Sequence, residues 1–151
     1  MRFQREEWSK ALPELRPLFA HLWDDVALDK DRFVAECAED KYGQLETNGV
    51  LHLVVARTEE GKVAGYHLSF VNENGHYQGA GLMAFTDMYF VKPEFRKANV
   101  GLRLFAFVEE SLRAAGVVKI YSSHKLHKDR SAMMAILGYK PTDLIYTKVI
   151  A

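Results

Sequence analysis

Tyr89-Phe90-Val91-Lys92-Pro93-Glu94-Phe95-Arg96-Lys97-Ala98-Asn99-Val100-Gly101-Leu102-Arg103-Leu104 is the stretch on which the reading of this chain turns. An apolar run ends at Val91, a short basic loop follows, and an amphipathic pattern begins at Gly101. That is a strand passing through a loop directly into a helix. The first amides of a helix have no intrahelical partner and sit at the positive end of its dipole, which makes them a cradle for phosphate. Gly101 lets a ligand approach the backbone, Pro93 stiffens the strand exit, and Arg96, Lys97 and Arg103 add positive charge. On these grounds alone the stretch predicts a site for a phosphate-bearing ligand. The glycine fingerprint of dinucleotide folds and the Lys-Ser/Thr ending of a P-loop are both absent.

Outward from this stretch, residues 82–91 read as the strand and residues 101–115 as the helix, with Leu102, Phe105, Val108 and Leu112 on one face and Gly116 as its stop. Residues 117–124 read as a second strand, 129–137 as a short helix and 145–150 as a final strand. Upstream, residues 50–57 and 62–71 form a strand pair around a turn at Thr58-Glu59-Glu60-Gly61. The N-terminal part reads as two helices. The first carries Leu12, Leu15, Leu18, Phe19 and Leu22, with Pro13 near its start and Pro17 within it. The second begins near Asp31, buries Phe33, Val34 and Cys37, and fades by Gly43. A strand–helix–strand unit over 82–124 requires a parallel crossover, so the expected sheet is mixed.

The chain has 151 residues, the usual size of one domain, and no repeat or linker divides it. Twenty Lys and Arg balance twenty Asp and Glu. No overall charge draws the molecule to nucleic acid or an anionic membrane. The same neutrality leaves little repulsion between copies, which allows a homodimer. A single cysteine, Cys37, rules out a disulfide framework. With no apolar run of signal or membrane-spanning length, the expected location is the cytoplasm.

The run Val91-x-Pro93-Glu94-Phe95-Arg96-Lys97-x-x-x-Gly101-x-x-Leu104 resembles the acetyl-CoA motif of the GNAT acetyltransferase superfamily, with Asn99 in place of the first glycine. Asn is the non-glycine residue that best tolerates left-handed backbone. Ile136-Leu137-Gly138-Tyr139 resembles the Leu-Gly-Phe/Tyr ending of that family, and the order of elements is similar over nearly the whole chain. Gly65-Tyr66, His76-Tyr77, Thr86-Asp87-Met88-Tyr89 and His124-Lys125 resemble a subgroup often carried by tailed bacteriophages. The resemblance implies an α/β fold with a mostly antiparallel sheet, a splayed parallel strand pair and helices on both faces. It implies an N-acetyltransferase that moves an acetyl group from acetyl-CoA to an amine of a small molecule or protein. It places the cofactor on Tyr89, Phe90, Val91, Arg96, Lys97, Ala98, Asn99, Val100, Gly101, Leu102 and Arg103. The thioester then lies near Tyr89 and His124.

Thioester aminolysis needs a neutral amine and therefore a base. Asp87 interrupts an apolar strand, and simple alternation puts its side chain on the face of Tyr89 and Val91. A carboxylate there is desolvated and its pKa rises. The bland alternative is a structural Asp paired with an Arg or a backbone group. His124 ends the next strand as a second catalytic candidate, against an ordinary strand-end surface His. His124 and His127 lack a third ligand, so no metal is expected. Many family members use a Tyr four residues before the Gly of the Leu-Gly-Phe ending to protonate the leaving thiolate. Met134 stands there, leaving Tyr139, Tyr146 or unassisted departure. That gap also admits a non-catalytic module that binds acetyl-CoA as a regulatory ligand. A phosphate-loop protein of another family is a third reading. Acidic residues of the N-terminal helices, Asp25 among them, would suit a cationic acceptor, although a solvated face explains most of them.

Overall fold

A computed structural model describes residues 1–150, with the side chain of Ala98 outside the described set. Five strands form one sheet in the order β1-β2-β3-β4-β5. They are β1 (Arg2–Glu6), β2 (Leu51–Arg57), β3 (Val63–Glu73), β4 (Leu82–Val91) and β5 (Val117–Tyr121). The first four are antiparallel in sequence order, and β4 pairs with β5 in parallel. Helices α1 (Trp8–Val26) and α2 (Glu39–Thr47) cover one face. Helices α3 (Val100–Ala114) and α4 (Ser131–Ile136) complete the chain, α3 covering the opposite face. The mixed α/β architecture expected from the sequence is present.

The core has two layers because β2 and β3 are buried on both sides. Leu53, Val55, Tyr66 and Leu68 pack against Trp8, Ala11, Leu15 and Leu18 of α1. Val54, Ala56, Ala64 and Ala84 pack against Val100, Leu104, Val108 and Leu112 of α3. Three alanines under α3 let its axis lie close to the sheet. Gly65 serves a related purpose, since a Cβ there would stand 2.6 Å from the Phe90 carbonyl oxygen. At the start of α1, where Glu7 in the N-cap position makes no capping hydrogen bond, the Glu46 carboxylate of α2 accepts from the amides of Trp8 and Ser9. That carboxylate also favours the positive helix end.

Four sequence expectations are corrected. Strand β1 was unforeseen. It is a polar edge strand whose Phe3 stacks on Phe107 and whose Glu6 pairs with Arg57 at 2.6 Å. Because α1 begins at Trp8, Pro13 is interior rather than near the start. Each proline removes one helical hydrogen bond, a loss offset by the burial of four apolar side chains. The second helix starts at Glu39, not Asp31, and Phe33 and Val34 are 56% and 73% exposed in the connection before it. Residues 145–150 form no strand.

Candidate active site

Strand β4 changes partners along its length. From Leu82 to Phe85 it pairs with β5, ending at Phe85↔Tyr121, where the two rings stack at 4.7 Å. Beyond Phe85 it pairs only with β3. The separation opens a cleft of about 520 Å³ between Tyr89, Phe90 and Val91 on one side and Ser123, His124 and Lys125 on the other. The start of α3 lies along this cleft through Asn99, Gly101 and Leu102.

The backbone there is set by Asn99, whose φ of 53° places it in the left-handed region and whose side chain makes no cap hydrogen bond. The first intrahelical bond runs from the Arg103 N–H to the Asn99 carbonyl at 3.0 Å. The amides of Val100, Gly101 and Leu102 precede it and have no backbone partner among the described residues. A Cβ on Gly101 would meet nothing nearer than the Met133 sulfur, 3.7 Å away. Uncapped amides beside an open slot fit a pyrophosphate.

The expected cofactor residues divide on geometry. Tyr89, Phe90, Val91, Arg96, Asn99, Gly101 and Leu102 line the cleft. Val100 is buried under α3, and the Arg103 guanidinium lies 5.1 Å from the Phe3 ring, so neither side chain lines it. Lys97 is exposed and not part of the lining, and the side chain of Ala98 lies outside the described residues. Arg96 is already engaged. Its Nε donates to the Val91 carbonyl at 2.8 Å, its Nη2 to Asp25 at 2.9 Å, and it sits over the Phe90 ring. Asp25 also meets Lys128 at 3.5 Å. Burial alone would raise the Asp25 pKa, but the two cations outweigh it and hold the carboxyl below its ordinary range. Sequence reading set Asp25 among candidates for the acceptor side. Its partners lie 71 and 103 positions away, and no local pattern announces them. Lys128 and Arg130 in the lining were likewise unforeseen.

Asp87 does not share the face of Tyr89 and Val91. Met88 pairs with Leu68 and Thr86 with Ser69, so Asp87 is the extra residue of a β-bulge. Tyr89 packs on Phe105 beneath α3, whereas Asp87 accepts a 2.6 Å hydrogen bond from the Tyr42 hydroxyl of α2 on the other face. A bulge adds one residue to one strand and breaks the alternation on which the expectation rested. Part of Asp87 faces the open cleft, yet its surroundings exclude enough water for burial to push its pKa up, and the Tyr42 hydrogen bond offsets this only in part. Nearby Cys37 is pushed up to about 11 by burial and by the charges of Glu39 and Asp87, so its thiol stays protonated and unreactive.

His124 lines the far lip of the cleft, held by its Nδ1 to the Lys125 carbonyl at 3.3 Å and its Nε2 to the Ser131 hydroxyl at 3.3 Å. Met134 is buried, Tyr139 is drawn toward Glu109 of α3, and Tyr146 is 86% exposed. Neither tyrosine lines the cleft. Among the described residues there is no group of three metal-ligating side chains and no helix long and apolar enough to cross a membrane.

A mixed sheet split between two parallel strands, with an open helix start facing the split, defines an acyl-transfer fold built for a long phosphorylated donor. The chain belongs to the acetyltransferase (GNAT) family, which it matches over residues 8–139. It is therefore an acyltransferase, and its donor is acetyl-CoA. No curated protein matches it in sequence. Among solved structures it is similar to an aminoglycoside acetyltransferase from an uncultured soil metagenomic sample in complex with sisomicin. The identity is 14%, the coverage 99% of this chain and 96% of that one, and the TM-score 0.76. It is similar to aminoglycoside antibiotic 6'-N-acetyltransferase from Acinetobacter baumannii, at 22% identity, 99% and 98% coverage and a TM-score of 0.68. It is similar to glucosamine-6-phosphate N-acetyltransferase from Arabidopsis thaliana, at 14% identity, 99% and 98% coverage and a TM-score of 0.71. At these identities the likeness is one of fold.

Proposed function

We propose that this chain is a one-domain, cytoplasmic N-acetyltransferase that acetylates a primary amine of a small molecule or protein, with Asp87 as the general base. The observation that carries this reading is the position of the Asp87 bulge, at the residues where β4 and β5 part. A carboxylate whose pKa is raised thereby stands on the cleft that also receives the open start of α3.

Acetyl-CoA, when bound, supplies an acyl group on a thioester, already activated toward an amine. The amides of Val100, Gly101 and Leu102 hold its pyrophosphate. Asp25 offsets one of the two positive charges of Arg96 and Lys128, so net positive charge remains beside those amides. The β4 edge at Tyr89, free of β5, orients the extended arm. Asp87 accepts the proton of the incoming ammonium, and the raised pKa brings it nearer to that task. Tyr42, whose own pKa burial pushes up, remains a donor and fixes the carboxylate's orientation. His124 lies across the cleft, placed to contact the acceptor or the arm. With Met134 buried and neither Tyr139 nor Tyr146 in the lining, neither phenol expected to protonate the thiolate reaches the cleft.

Amine acceptors of the aminoglycoside and amino-sugar type, named for the similar structures, are starting points for an acceptor search. The likeness to phage-borne proteins names no acceptor, and no step above rests on it. Nucleic acid and membrane partners are not part of this reading, and a homodimer is. The buried Met134 favours one rival, a module that binds acetyl-CoA without turnover. Thiol release measured over a panel of primary amines separates the two. The proposal predicts release that depends on one class of amine. Binding of acetyl-CoA with no release on any amine supports the regulatory module.

A further inference from the structure

Among the described residues, Tyr89 is the one phenol in the lining of the cleft. Its ring is fixed from behind by two buried rings, edge-on to Phe105 at 5.0 Å and stacked on His67 at 6.2 Å. The Arg130 guanidinium, also in the lining, reaches the phenol oxygen. A guanidinium only donates, so this contact uses a lone pair of the oxygen and leaves the phenol proton free for another acceptor. Arg130 stands one helical turn before Met134, whose amide donates to its carbonyl at 3.0 Å. The helix that lacks a phenol at Met134 thus brings a cation to a phenol on β4. Other groups are engaged elsewhere. Tyr42 donates to Asp87 at 2.6 Å, Tyr66 is fully buried, and Tyr139 is drawn toward Glu109. Both ring nitrogens of His124 are occupied, by the Lys125 carbonyl and the Ser131 hydroxyl.

We infer that Tyr89 is the general acid that protonates the departing CoA sulfur, with Arg130 as its positioning residue; this rests on the acetyl-transfer reading above. The two faces of β4 sort the roles. The bulge turns Asp87 toward Tyr42 of α2, while Tyr89 lies beneath α3, whose open start holds the pyrophosphate. An arm anchored at those amides brings its sulfur in from the α3 side, and the amine meets Asp87 from the α2 side. Attack and departure therefore have separate proton partners. The incoming ammonium gives one proton to Asp87, and its nitrogen lone pair forms the C–N bond to the acetyl carbon. The C–S bond then breaks, its electron pair goes to sulfur, and the Tyr89 O–H proton follows. The surplus proton on the new amide nitrogen returns through water to the Tyr89 phenolate, and Asp87 releases its own to solvent. The sum is an amide, a free thiol and one proton. Burial raises the Tyr89 pKa and the charge of Arg130 opposes this, so the phenol stays protonated at neutral pH while its phenolate has a partner.

Tyr89→Phe keeps the ring packing and removes only the hydroxyl. It should lower kcat about 10²-fold, with acetyl-CoA affinity by calorimetry unchanged within about twofold and the acid limb of the pH profile still in place. A difluorinated tyrosine at position 89, more acidic and of nearly the same shape, should bring the alkaline fall of kcat to lower pH, a shift that a packing role would not produce. Arg130→Gln should lower kcat in the intact chain and have no further effect in the Tyr89→Phe chain, because it acts through the phenol; an additive loss removes Arg130 from this role. An active chain whose kcat is unchanged by Tyr89→Phe, or whose loss appears as weaker acetyl-CoA binding, overturns the inference and leaves the acetyl-transfer reading standing. An alkaline limb that does not move with the fluorinated residue also overturns it. An intact chain that binds acetyl-CoA and transfers to no amine overturns both.

Discussion

The two halves of β4 are one strand with two fates. From Leu82 to Phe85 it is paired on both edges and packed, through Met83 and Ala84, into the core. From Thr86 onward it has one partner, a bulge at Asp87 and a cleft along its open edge. The first half contributes stability and the second contributes chemistry. Exposure divides them as well: Ala84 is fully buried, whereas Asp87, three residues on, is exposed at the cleft.

The comparison is broken most severely by removing the charge of the open half. Asp87→Asn should lower kcat by about 10²- to 10⁴-fold, the usual contribution of a general base, with acetyl-CoA affinity retained. Steady-state rates beside titration calorimetry check this, and an unchanged kcat removes Asp87 as the base.

A smaller effect tests the packed layer beside it. His52 and His67 are buried under α3, bonded at 2.9 Å to Ser111 and at 3.4 Å to Ser69 and Thr86. Burial drives their pKa values down to about 4 and about 3. Unfolded, each titrates near 6.5. Between these values the unfolded chain binds more protons than the folded one. Stability is therefore full above pH 6.5 and falls as the pH drops through 6.5 toward 4 and 3. Denaturant unfolding between pH 8 and 4 should show this decline, and His67→Leu should flatten it.

The smallest effect separates orientation from proton transfer. Tyr42→Phe removes the hydrogen bond that lowers the Asp87 pKa. Only ionised Asp87 accepts a proton, so the rising acid limb of the kcat profile should move to higher pH, with a loss of a few-fold at neutral pH. A profile that does not move places Tyr42 outside the proton path.

The packed half of this division was legible in the sequence and the open half only in part. Residues 82–91 carry enough consecutive apolar side chains to fix the strand, and the helix start at Asn99 and Gly101 follows from local rules. Asp87 was found as a residue but assigned to the wrong face, because a bulge is a property of two paired strands and leaves no mark on one. Asp25 reached Arg96 and Lys128 only through folding. Phe33 and Val34 imitate a buried helix face, yet they stand exposed in a connection. The strand expected at 145–150 has its pattern but no neighbour within its own chain.

Everything rests on the amides at the start of α3 facing a slot that accepts two phosphates. Titration of acetyl-CoA into the intact protein and into Gly101→Trp tests this most directly, because an indole at that position grows into the cleft past Met133 without entering the core. The account predicts one site per chain in the intact protein and at least a hundredfold loss, about 2.7 kcal/mol, in a variant that remains folded by circular dichroism. Equal affinity in the two proteins, or no binding to either, would contradict it.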